Sequence, residues 1–163
     1  MSETEGEDNS QVHVSVFFCQ DVIRESGILT AIRISDAFIT DPAGVERAAD
    51  GSEVKLYGSL KVRGVFIFRS EKAASFTLTL KGTTPSNPTP AERFSTSVSL
   101  LGSDAGPHIL NMTTNLEADV EGVFWFEVFV DDRLAAKVPL YVIHRNSDLY
   151  QRLESQKRAQ GAS

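Results

Sequence analysis

The sequence predicts an all-β domain: two antiparallel sheets packed face to face, about eight strands, and a short C-terminal helix. Three observations carry this. Apolar residues recur at every second position in several short segments, as in Val12, Val14, Val16 and Phe18, or Phe124, Phe126, Val128 and Val130, which is the spacing that puts side chains on one face of a strand. Turn-forming residues punctuate these segments, with almost no helical spacing between them. Gly122 to Ile143 reads as two strands folded back on each other at Asp131-Asp132-Arg133. Prolines at 85, 88, 90 and 139 suggest blunted sheet edges, which favours open stacked sheets over a closed barrel.

In chain order, Met1 to Ser10 is an acidic tail with too little apolar content to fold alone. The β domain spans 11–146, and 147–163 is a short helix with a frayed end. Gln11 to Cys19 is the first strand, with His13, Ser15 and Phe17 on its second face. Asp21 to Gly27 is a connection with room for one helical turn. Ile28 to Ile39 is a second strand with a bulge near Ser35-Asp36. Its β-branched residues disfavour a helix.

Asp41 to Glu53 holds Pro42, Gly44 and Gly51 and reads as a loop, with a helical turn around Val45 to Ala49. Val54 to Phe68 is one bent strand or two short ones, interrupted by Gly58 and Gly64. Phe76 to Leu80 is a strand. Gly82 to Pro90 is a stiff surface loop outside any sheet. Phe94 to Leu101 and His108 to Leu116 are strands separated by a turn. Pro139 places the last strand, Leu134 to Ile143, at an edge or marks where a new pairing starts. Leu149, Tyr150 and Leu153 lie at helical spacing, and Ser147 or Asp148 can cap that helix.

The 163 residues suffice for one domain with a real core, and the formal net charge is -6. That acidity sets nucleic acid and anionic membranes at a disadvantage as partners. The single cysteine, Cys19, rules out an intrachain disulfide, and there is no CxxC pair for zinc. The polar, acidic start lacks the pattern of a signal peptide, and no run approaches the length of a membrane span. The expected location is cytoplasmic.

Two stretches together resemble a known family. Phe18-Cys19-Gln20-Asp21-Val22-Ile23-Arg24-Glu25 is followed by Gly27-Ile28-Leu29-Thr30-Ala31-Ile32, and Gly122 to Asp131 by a basic residue and the Val138-Pro139-Leu140 strand. This is similar to a family of small uncharacterised bacterial β-sandwich proteins with a Cys-Asp-Asp-Val-Arg-like opening and a closing Gly-x-aromatic hairpin. The resemblance covers most of Val12 to Val142 in outline and implies an immunoglobulin-like or fibronectin-like sandwich from bacteria or their phages. It assigns no activity. This chain carries Gln20 where the family has an acidic residue, which weakens a paired-carboxylate site at Gln20-Asp21.

Candidate functional residues are few. Asp21, Arg24 and Glu25 form a charged turn at the centre of the family pattern and are the best polar candidates for reading a ligand or partner. Trp125 and Phe129 lie opposite the Phe124/Phe126 face. They are either covered by a loop or the C-terminal helix, or exposed as an aromatic patch that binds a partner or pairs two subunits. The outer edge of their hairpin could accept an added strand. Cys19, beside Asp21, reads as a small buried hydrophobe rather than a nucleophile. His13, His108 and His144 are far apart, and a shared metal would need a third ligand. Asp36, Asp41, Asp50, Asp104, Asp131 and Asp132 are too scattered for a calcium loop. No nucleophile elbow, phosphate loop or HExxH motif occurs. No cofactor and no catalytic residue is expected.

The first functional expectation is therefore a non-enzymatic interaction or accessory module that holds a protein partner or a second copy of itself. The alternative is a small-ligand-binding or hydrolytic domain with polar groups gathered near Asp21, Arg24 and His13. A nucleic-acid binder comes third, for want of a basic stripe.

Overall fold

The computed structural model describes residues 12–25, 28–145 and 147–161. In chain order these form β1 (His13–Glu25), β2 (Ile28–Ile34), β3 (Ala37–Thr40), β4 (Gly44–Arg47), β5 (Glu53–Leu56), β6 (Ser59–Arg69), β7 (Ala73–Thr84), β8 (Asn87–Leu101), β9 (His108–Glu117), β10 (Gly122–Val130), β11 (Arg133–His144) and α1 (Asp148–Gly161). One sheet has the order β2-β1-β6-β9 and a second the order β3-β11-β10-β7-β8, while β4 and β5 make a separate two-stranded ribbon. All pairings in the two main sheets are antiparallel except β11 with β3.

The two main sheets share one core. Phe18 of β1 meets Phe126 of β10 with ring centroids 5.0 Å apart, and Phe68 of β6 meets Phe76 of β7 at 5.3 Å. Around them lie Val62, Phe66, Leu78, Leu80, Phe124, Val128 and Leu140, all buried. These are alternating positions along β1, β6, β7, β10 and β11, so period-two patterning places one apolar row of each of these strands in this layer.

The chain forms eleven strands among the described residues rather than about eight. Three changes account for the difference. The expected strand Ile28–Ile39 divides at Ser35-Asp36, and its second part crosses to the other sheet as β3. Ser35 makes the corner: its amide donates to the Phe18 carbonyl at 3.1 Å, its hydroxyl accepts from the Ala37 amide at 3.1 Å, and the Tyr141 amide donates to the Asp36 carbonyl at 2.6 Å. The expected strand Val54–Phe68 divides at Tyr57-Gly58 into β5 and β6. The Asp41–Glu53 loop contains β4, not a helical turn; Val45 pairs across to Lys55 in the small exposed ribbon. Asp50 closes that ribbon by accepting from the Ser52 amide at 2.9 Å and the Ser52 hydroxyl at 2.6 Å.

Two further expectations are corrected. Asp21–Glu25 is not a connection but the second half of β1, laddered to β2 from Asp21↔Ile32 to Glu25↔Ile28. Its β-branched Val22 and Ile23 suit extended backbone. Gly27 and the tail up to Gln11 lie outside the described residues. Pro88 and Pro90 are not excluded from the sheet but sit in β8. That strand is an edge, and an edge tolerates a residue with no amide hydrogen.

The hairpin β10–β11 forms at the expected place. Asp131 and Asp132 both adopt positive φ, 46° and 64°, the conformation that two-residue hairpin turns require. Pro139 lies opposite Trp125, and pairing with β3 begins two residues later at Tyr141. From Arg133 to Leu140, β11 has only β10 as ladder partner among the described residues. Ser147 caps α1 by accepting from the Tyr150 amide at 3.2 Å.

Candidate functional site: the outer face of the five-stranded sheet

β10 runs through the middle of its sheet, between β7 and β11. Phe124, Phe126 and Val128 point into the core, so Val123, Trp125, Glu127 and Phe129 point out. Trp125 is 37% exposed and Phe129 half-buried. Neither is covered by α1, which packs on β11. Trp125 therefore meets solvent on this face, with Phe129 partly covered beside it.

Cross-strand register assembles the rest of the patch. Val123 faces Tyr141, Trp125 faces Pro139 and Thr83, and Glu127 faces Lys137 and Lys81. Tyr141 is itself exposed. The Lys137 ammonium lies 5.3 Å from the Trp125 ring centroid and donates to Glu127 Oε1 at 2.9 Å. The Lys81 ammonium lies 4.7 Å from the Phe129 ring. Each cation–π contact at such a surface contributes about 0.5–1 kcal/mol, and the ion pair about 0–1 kcal/mol. The result is an aromatic strip with fixed charges of both signs beside it. Lys81, Lys137 and Tyr141 were not singled out from the sequence, because only the register between distant strands brings them to Trp125.

Asp21, Arg24 and Glu25 do not converge. Asp21 and Arg24 are three residues apart on one strand and point to opposite faces. The Asp21 carboxylate pairs with Arg63 of β6 at 3.0 Å and accepts from the Val22 amide at 2.8 Å. Arg33, at φ 53°, donates to Gln20 at 3.0 Å. Arg24 and Glu25 are exposed at the strand end. His13 is eight residues from Asp21 along the same strand, about 26 Å at the usual rise. The polar groups of the alternative expectation are thus spread along β1 rather than gathered.

Cys19 lies fully buried on the outer side of β1, its thiol 3.7 Å from the Arg63 carbonyl. Burial pushes its pKa up; Arg63 opposes the shift and Asp21 adds to it. The folded state favours the thiol, so any stability tied to Cys19 is intact below the ordinary value of 9.0 and is lost as the pH rises through the higher folded value. Alkylation by iodoacetamide at pH 8 is expected to run at least about tenfold slower in the folded chain than in urea. Equal rates would contradict the burial.

The histidines lie apart. His144 stacks on Tyr57 with centroids 3.4 Å apart, and its Nε2 sits on the Ala118 carbonyl. His13 pairs across to Arg69, and His108 lies near Phe68. Of the loop carboxylates, Asp41 pairs with Arg145, and Asp131 accepts from the Thr77 amide at 2.8 Å. Among the described residues no group of three or more His, Cys, Asp and Glu side chains is placed to hold a metal. No helix among them is long and apolar enough to cross a membrane.

No protein-family profile matches the chain. No curated protein matches it either. Parts of solved β-glucosidases show a partial structural likeness. The Listeria innocua enzyme aligns at 11% identity and TM-score 0.42, over 82% of this chain and 16% of that one. The β-glucosidase of Kluyveromyces marxianus aligns at 12% and 0.42, over 63% and 14%. The β-D-glucoside glucohydrolase of Trichoderma reesei aligns at 13% and 0.41, over 82% and 19%. The chain spans less than a fifth of the length of each of these enzymes. At such TM-scores the likeness carries no argument about this chain.

Proposed function

We propose that this chain is a non-enzymatic interaction module, an immunoglobulin-like β-sandwich that associates with a second copy of itself through the outer face of the five-stranded sheet. The observation that supports it is the exposure of Trp125 beside Tyr141 and Phe129 on a central strand. A large ring at the middle of a sheet face gains about 1.5–3 kcal/mol if a partner removes it from water. Aromatic residues are enriched where protein surfaces meet.

A second copy is the occupant that suits this face. A two-fold interface must be self-complementary. This one carries both the rings and the cations that sit over them, together with a carboxylate, Glu127. Lys137 and Lys81 of one copy can move from their own rings to those of the other, with Glu127 of either copy free to pair with one of them.

Sedimentation equilibrium across a dilution series tests this. Concentration-dependent dimerisation is expected, with Trp125→Ser weakening it at least about tenfold, or about 1.4 kcal/mol. A wild-type chain that stays monomeric up to about 1 mM would overturn the reading, since weaker association falls outside the range of specific contacts.

A further inference from the structure

A recess of about 300 Å³ opens at the other end of β1, away from the aromatic face. Its polar lining residues are His13, Arg69, Ser70, Glu71 and Ser103, with Gly106 and Pro107 beside them. His13 and Arg69 are cross-strand partners at the ends of β1 and β6. The turn after β8 closes the site: Gly102, at φ 91°, lies against the backbone of residues 71–73, and the Ser103 amide donates to the Glu71 carbonyl at 3.3 Å.

Ser70 is 8% exposed, and its hydroxyl has no hydrogen-bond partner. An unmade bond at a buried hydroxyl costs about 1–3 kcal/mol. A buried hydroxyl without a partner calls for an explanation, and a molecule seated in the recess beside it is one that supplies the missing bond. The charges at the mouth narrow the chemistry. Arg69 and Glu71 both line the recess, and neither enters an ion pair among the described residues. A simple anion would face Glu71 and a simple cation would face Arg69. A molecule carrying both signs a few ångströms apart satisfies both.

We propose that this recess binds a small zwitterion, of which a free α-amino acid is the simplest class. Its carboxylate lies toward Arg69 and His13, its ammonium toward Glu71, and the Ser70 hydroxyl completes one of the two contacts. The volume is at the lower end of ligand sites, of order 300 Å³, which suits a molecule of this size and not a nucleotide or a peptide. The site is independent of the aromatic face, so either proposal can fail alone.

The test is an amide chemical-shift titration of the full chain with each of the twenty amino acids, and with acetate and methylammonium as single-charge probes. At least one amino acid should shift the Ser70, Glu71 and Ser103 amides saturably, and the single-charge probes should bind about tenfold more weakly or less. Arg69→Gln and Glu71→Gln, both at exposed positions, should each weaken binding about tenfold while leaving the rest of the spectrum in place. The absence of a saturable shift up to about 10 mM of any amino acid, well above the affinity range of a specific site, would overturn the proposal. Acetate or methylammonium matching the best amino acid would also overturn it, since one charge would then suffice.

Discussion

Phe126→Ala should destabilise the protein by about 3–5 kcal/mol in urea titration, the range for emptying a large aromatic site in a core. Phe126 is 2% exposed and meets Phe18 of the opposite sheet at 5.0 Å. Its ring therefore bridges the two layers, and its loss leaves a cavity that strands fixed by ladders on both sides of β10 cannot close. Trp125→Ala, one residue earlier, is the internal control. Its side chain lies on the outer face and already meets water, so the same truncation should cost the monomer less than about 1.5 kcal/mol, measured below the concentration at which copies associate. Equal costs at the two positions would mean that the faces of β10 have been assigned wrongly.

Gly102→Ala should cost about 2–4 kcal/mol. Two effects add. At φ 91° an L side chain is strained by about 1–2 kcal/mol. A Cβ there would also stand 3.2 Å from the Ala73 nitrogen and from the Lys72 carbonyl carbon. These are backbone atoms of the β6–β7 turn and have no rotamer to change, so crowding adds about 1–2 kcal/mol. Gly106, at φ 76°, has open space where its Cβ would be. Gly106→Ala should therefore show the strain alone, about 1–2 kcal/mol. Denaturation midpoints of the two variants separate strain from contact; a loss at Gly106 as large as that at Gly102 would remove the contact from the account.

Local pattern and distant pairing differ in how far the sequence reveals them. The β10–β11 hairpin is readable because everything that forms it is adjacent: alternating aromatics, an Asp131-Asp132 turn, and Pro139 at the position where a new neighbour begins. The break at Ser35-Asp36 is visible as an irregularity. That the chain there leaves one sheet for the other is not, because the carbonyl of Phe18 and the amide of Tyr141 that hold the corner come from remote segments. Asp21–Glu25 reads as a connection because three of its five residues, Asp21, Arg24 and Glu25, are charged, yet a strand that extends beyond the shared core needs no apolar alternation. The β4–β5 ribbon escapes for a similar reason: Val45, Val54 and Leu56 are exposed, so burial never imposed a period on them.

The candidate site divides in the same way. Trp125 and Phe129 were legible as one face of one strand. The lysines over their rings and the hydroxyphenyl of Tyr141 depend on register across three strands. At Asp21, the partner that matters is Arg63, forty-two residues away, and not Arg24 beside it.

Trp125 is the only tryptophan in the chain, so its fluorescence reports on the outer face of the five-stranded sheet and on nothing else. The most direct measurement is its emission maximum as protein concentration rises. If copies associate through this face, the emission shifts to shorter wavelength as dimer forms, tracks the mass read in the same solutions, and becomes less accessible to iodide. Emission and quenching that stay constant while the mass doubles would place the contact elsewhere, and the Trp125 face would not be the interface.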